Sequence, residues 1–199
     1  MIKYKLTDQN LQTYNDFQWK IGETKTTSGT GELCSSGWLH YYDSPLLAIL
    51  LNPIHANIKN PRLFECEIGE ITKDDKGLKG GSTQLTLIKE IDIPIISVNQ
   101  KVAFAILCAK KVCKDSIWNL WADNWLNNIN KSRTATIHAI NAVNAAYATA
   151  ATAANAAAYA AYAAAAAYAA YAGADAAAYA ATITNFNLQS IAEECLKYS

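Results

Sequence analysis

The sequence predicts an α+β protein with an alanine-rich helical extension, on three observations. Up to about residue 96, short runs of alternating apolar and polar residues are separated by Gly- and Pro-marked turns, the pattern of strands. Between 97 and 126, apolar residues recur at helical spacing behind Ser and Asp caps. From 142 to 181, 27 of 40 residues are Ala and six are Tyr. Ala has the highest helix propensity and loses no side-chain entropy on ordering.

The elements are taken in chain order. Ile2–Leu6 and Gln18–Ile21 read as short strands, and residues 26–31 as a flexible loop (Thr-Thr-Ser-Gly-Thr-Gly). Trp38–Tyr42 is aromatic and strand-prone. Ser44-Pro45 starts a helix with a cap and a first-turn proline, carried on by Leu46, Leu47, Ile49, Leu50 and Leu51 and stopped by Pro53. Arg62–Ile68 alternates as a half-buried strand does. Lys73–Gly81 is charged and Gly-rich, hence a turn, and Leu85–Ile91 is a further strand.

A helix is predicted from Ser97 or Asn99 to about Cys113, with Val102, Ile106, Ala109 and Cys113 on one stripe. Asp115 or Ser116 caps a second, Ile117–Leu126, in which Trp118, Trp121 and Trp125 share a face. Core packing or an oligomer contact is the plain reading of that face, and ligand stacking the sharper one. Ser132 is a cap for the helical region after it.

That last helical region, 133–182, would be roughly 75 Å long as one rod. Asn141, Asn144, Thr152, Asn155, Tyr159 and Tyr162 cluster on one side. Tyr168, Tyr171, Asp175, Tyr179 and Thr182 cluster on nearly the opposite side, so either one helix shows two faces or the chain bends at 163–167 or near Gly173. Asp175 is the only charged residue between Arg133 and Glu193. A helix with so little charge needs a partner surface, and a second copy of the chain is one. Tyr159, Tyr162, Ala164, Tyr168, Tyr171 and Tyr179 are the expected oligomer contacts. Ile183, Phe186, Leu188, Ile191 and Leu196 form a more ordinary apolar end piece. The expected organisation is an α+β domain over 1–131 and an Ala/Tyr-rich oligomerisation segment over 132–199, one long helix or a hairpin.

Bulk chemistry excludes several classes. Lys plus Arg and Asp plus Glu are 17 each, so no global basic signal points to nucleic acid. No signal peptide is evident at the N-terminus. Ala156–Ala172 lacks Leu and Ile, which argues against a membrane span. The five cysteines (34, 66, 108, 113 and 195) have irregular spacing and no CxxC, so free thiols in a reducing cytosol are expected, not a zinc site. An ice-binding face would need Thr at a regular 11-residue repeat, which Thr136, Thr149, Thr152 and Thr182 do not keep.

No phosphate loop, dinucleotide fingerprint, serine elbow or metalloprotease helix is present. Neither a metal nor a cofactor is called for, and no catalytic residue is assigned. Cys34 and His40 are a nucleophile–base combination without an orienting third group. Glu65 and Glu67 share a strand face, as an acid–base pair or as solvated residues. Lys79–Thr83 is a Gly-rich turn that suits an anion through its amides or is simply a hairpin. His55 is expected to order its own loop, and His138 to sit on the helix surface or between helices. The aromatic and imidazole groups of Trp38, His40, Tyr41 and Tyr42 are the expected ligand-facing set.

Residues 17–22 and the segment Leu33–Leu46, with its Cys, Gly, His and Pro-Leu, resemble a family of uncharacterised phage and bacterial proteins with alanine-rich tails. The resemblance implies a phage or prophage origin and supplies no catalytic residues. Gly37, Tyr41 and the helix after Ser44 also resemble the strand-then-helix around the NAD-binding tyrosine of ADP-ribosyltransferase folds, without that family's full triad. The expected function is a non-enzymatic accessory protein of the bacterial cytosol or virion. It self-assembles through its Ala-rich helices and binds a nucleotide-like small molecule or a host protein, a counter-defence role. A virion assembly protein and an ADP-ribosyltransferase-like enzyme are the alternatives.

Overall fold

The computed structural model describes residues 2–132, 134, 136, 166–184 and 186–198. The fold is α+β and divides into two compact units, Met1–Ile95 and Ile96–Ser199. The sequence-based division at 131/132 lies inside the second unit. The Trp-rich helix expected to end the first domain therefore belongs to the second unit.

The first unit contains β1 (Ile2–Thr7), β2 (Gln12–Thr13), β3 (Phe17–Gln18), β4 (Thr24–Thr26), β5 (Leu39–Tyr41), α1 (Pro45–Leu51), β6 (Arg62–Ile68), β7 (Thr72–Asp74), β8 (Gly80–Ser82) and β9 (Gln84–Ile91). Four strands form an antiparallel sheet in the order β1-β6-β9-β4, and β5-β8-β7 form a second; β2 and β3 make a small hairpin. An isolated bridge links Tyr4 to Tyr42, each amide donating to the other's carbonyl at 3.0 and 2.8 Å.

Strand alternation sends Phe64, Cys66, Leu85 and Leu87 to one face of the large sheet, where they meet Trp19 and, from β5, Leu39 and Tyr41. Leu6 and Leu63, a cross-strand pair, are buried on the other face. Each large side chain buried this way contributes roughly 1.5–3 kcal/mol. Ser44 caps α1 by accepting from the Leu47 amide at 3.2 Å, with Pro45 in the first turn, as expected.

Two local expectations are corrected. The strand predicted over Gln18–Ile21 ends at Gln18, because Trp19 turns into the core and Gly22, at φ +78°, redirects the chain to β4. Lys73–Gly81 is not all turn: Lys73 and Asp74 belong to β7, Gly80 and Gly81 to β8, and only 75–79 connects them. Gly77 donates its amide to Asp74 Oδ2 at 3.1 Å in that connection. Low strand propensity at Gly80 and Gly81 is overridden by packing, since aromatic and apolar side chains lie where Cβ atoms would be.

The second unit contains α2 (Val98–Lys110), α3 (Ser116–Leu126), α4 (Ala166–Ile183) and α5 (Leu188–Cys195). Ser97 and Gln100 form a reciprocal capping box on α2, and Asp115 caps α3 by accepting from Trp118 at 2.7 Å. α2 packs against both α4 and α5, with Val102–Ala109 buried throughout. Trp118, Trp121 and Trp125 are buried, with the first two rings 5.6 Å apart and tilted.

α4 runs unbroken through Gly173. Ala172, Ala174, Ala176, Ala177, Ala180 and Ala181 are buried, whereas Tyr179 and Thr182 are exposed and Asp175 is half-buried. The small side chains let the axes approach, and Tyr179 and Thr182 face outward. In α5, Leu188, Ile191, Ala192 and Cys195 are buried, but Ile183 and Leu196 are exposed, so the expected apolar end piece buries only part of its set. Tyr159, Tyr162, Ala164, His138 and the 163–165 part of the proposed bend lie outside the described residues. Among the described residues no helix is long and apolar enough to cross a membrane.

Candidate functional site

β5 alternates. Leu39 and Tyr41 enter the core, so His40 points to the opposite face and is half-buried there. Its cross-strand neighbour is Gly81 and that of Tyr41 is Gly80. A Cβ on Gly80 would come within 2.2 Å of the Tyr41 ring, and one on Gly81 within 2.4 Å of Leu33 Cδ1. Both glycines are therefore spaces filled by neighbouring side chains. Ser82 and the two glycines are buried within the sheet, so the expected amide cradle for an anion is not formed there.

On the His40 face the structure gathers Cys34, Lys79 and His55. The preceding Leu33 is buried against Gly81, and its carbonyl accepts from His40 Nε2. Lys79 stands two residues before Gly81, hence on the same side of the strand direction. Its Nζ donates to Cys34 Sγ at 3.0 Å. The Cys34 thiol is thus partnered by an amine, while the His40 ring is held by a carbonyl, and the nucleophile–base pairing is not formed.

His55, just beyond α1, stacks on Tyr42 at 5.9 Å between centroids and 23° between planes. Burial lowers its pKa to about 4, and the nearby Lys79 and His40 push the same way. Its Nδ1 is buried without a hydrogen-bond partner. The His40 pKa is lowered too, first by burial, with Lys5 and Lys79 adding repulsion against the Leu33 bond. Both imidazoles are therefore neutral near pH 7.

No carboxylate forms an ion pair with Lys79 among the described residues; its side chain has only the thiol. Lys3, Lys25, Lys73, Lys89 and Arg62 in the same unit are each paired with Asp or Glu. The face is consequently suited to an anion: one ammonium without a counter-ion and, at His55, one neutral imidazole with an N–H to donate, the His40 N–H being held by the Leu33 carbonyl.

Of the four residues expected to face a ligand, Trp38, Tyr41 and Tyr42 are buried in packing roles, and only His40 retains substantial exposure. The Trp38 indole donates to the Gly31 carbonyl at 3.2 Å. Glu65 pairs with Lys89 at 3.3 Å and Glu67 is exposed, the solvated alternative for that pair. Four cysteines are buried and Cys34 is exposed; all five are free thiols. No group of His, Cys, Asp and Glu suited to a metal ion occurs among the described residues.

Lys79 and His55 were absent from the expected ligand set, because the place of Lys79 depends on how β8 pairs with β5 and that of His55 on its stacking against Tyr42. Lys5 was also overlooked. It is 6% exposed, donates to the His40 carbonyl at 2.7 Å, and has a pKa lowered to about 8 by burial against the opposing effect of Cys66.

Residues 1–98, which include the whole of this face, match a family model described as a Domain of unknown function (DUF7666). No curated protein and no solved structure gives a match to the chain.

Proposed function

We propose that this chain is a non-enzymatic binding protein whose first unit holds a small anionic, nucleotide-like molecule. The observation that supports this reading is the Lys79 ammonium, half-buried, with a thiol as its hydrogen-bond partner and no carboxylate against it. A partly desolvated cation gains most from an anion brought to it. His40 and His55 flank the position; the neutral His55 ring has an N–H to offer an anion, while that of His40 is held by the Leu33 carbonyl.

The Ala/Tyr-rich segment assembles copies of the chain in this reading. Its supporting observation is the outward pair Tyr179 and Thr182 on a helix that buries alanines. A phage-encoded accessory or counter-defence protein of the bacterial cytosol or virion accords with the family resemblance, and a host protein is the alternative ligand.

Native mass spectrometry on gently purified protein tests both parts. An oligomer carrying a nucleotide-sized anion, lost in Lys79→Gln, is expected. A monomer, or retention of the same ligand by Lys79→Gln, overturns the corresponding part.

A further inference from the structure

We propose that Cys34 and Lys79 form a covalent sulfur–nitrogen bridge in response to peroxide. The inference goes beyond ligand binding and does not depend on it. Lys79 Nζ lies 3.0 Å from Cys34 Sγ, the separation at which a nucleophile and its target are poised to react. Cys34 is exposed, whereas Cys66, Cys108, Cys113 and Cys195 are buried, so a water-borne oxidant meets this thiol first.

The approach is built into the backbone. Leu33 is buried and seated in the space left by Gly81, and its carbonyl is held by the His40 ring. On the other side, Leu78 is buried, the Lys79 carbonyl accepts from the Asp75 amide at 3.0 Å, and Gly80 starts β8. Each reacting residue therefore stands next to an anchored one. The two chain segments lie 45 residues apart in sequence.

The chemistry closes on itself. A peroxide transfers one oxygen to the Cys34 thiol, giving a sulfenic acid and water. The Lys79 ammonium gives up one proton to solvent, and the neutral amine so formed attacks the sulfur; an S–N bond forms and the S–O bond breaks. The departing hydroxide takes the amine proton as a second water. Thiol and amine each lose one hydrogen, sulfur is oxidised, and the peroxide is reduced. Thiols reverse the bridge by attacking the same sulfur.

The test treats full-length protein with limiting hydrogen peroxide and tracks intact mass and peptide maps. The expected product is two hydrogens lighter than the reduced chain, with Cys34 and Lys79 peptides joined, and returns to the starting mass with a thiol reductant. Lys79→Arg keeps the positive charge but should lose the bridge and accumulate a dimedone-reactive sulfenic acid at Cys34. Cys34→Ser should show neither product. Wild-type protein that gains oxygen at Cys34 with no joined peptide overturns the proposal, as does an equal bridge yield from urea-unfolded chain.

Discussion

Lys5 Nζ lies 4.5 Å from the centre of the Trp19 ring, so the large sheet carries an ammonium directly over a buried indole. The contact and the bond to the His40 carbonyl offset part of the burial cost. The unfolded amine titrates near 10.5 and the folded one near 8. Between those values the unfolded chain binds more protons, so this group makes stability rise with pH across that window. Lys5→Met should therefore hold an advantage over wild type below pH 8 that shrinks toward pH 10.5, by on the order of a few kcal/mol. Urea unfolding across this range reads it; a constant difference would contradict it. Cys66, whose thiol is pushed up to about 12 chiefly by burial, trends the opposite way and is coupled to Lys5, so the comparison is made in a Cys66→Ala background.

His55 works at the acid end. Its folded pKa of about 4 lies below the ordinary 6.5, so the stability it allows at neutral pH is lost as pH falls through that interval. His55→Phe keeps an aromatic ring against Tyr42 and removes the titration. The variant should lose less stability than wild type between pH 6.5 and pH 4. Parallel acid profiles for the two proteins would rule this out.

Gly80→Ala should lower stability by roughly 1–3 kcal/mol, the usual effect of overpacking. The added methyl would sit 2.2 Å from the Tyr41 ring. Gly37→Ala should be worse, because its nearest obstacle is the Thr30 carbonyl at 2.0 Å, backbone that cannot rotate aside. Thermal melts of both variants give the order, and equal melting temperatures would refute it.

In α4, Ala177→Asp places a carboxylate where the side chain is fully buried, while Thr182→Asp places one on the exposed stripe. The first should cost several kcal/mol and the second little. Helical signal against urea separates them; similar midpoints would mean that α4 does not pack through Ala177.

Legibility tracked the range of the interactions. The Ser44-Pro45 and Ser97 starts were readable because capping is local, and Arg62–Ile68 because alternation is local. Gly80 and Gly81 read as turn residues, since nothing within their own segment announces Tyr41 or Leu33. His40 was legible as an unusual residue in an aromatic strand, but its neighbours come from three other segments. Lys5 sits in an alternating strand, yet Lys5, Leu6 and Thr7 are all buried because both faces are covered.

The Tyr4–Tyr42 bridge also bears on how the molecule behaves in a crowded solution. β1 is the border strand of its sheet, and Ile2, Tyr4 and Leu6 turn their amides and carbonyls away from β6. By occupying the middle member of that trio, Tyr42 leaves no two successive sites for an incoming strand. A neighbouring chain seeking to extend the sheet at β1 would find a broken ladder, a safeguard against fibrous growth at that edge supplied by a single pair of residues.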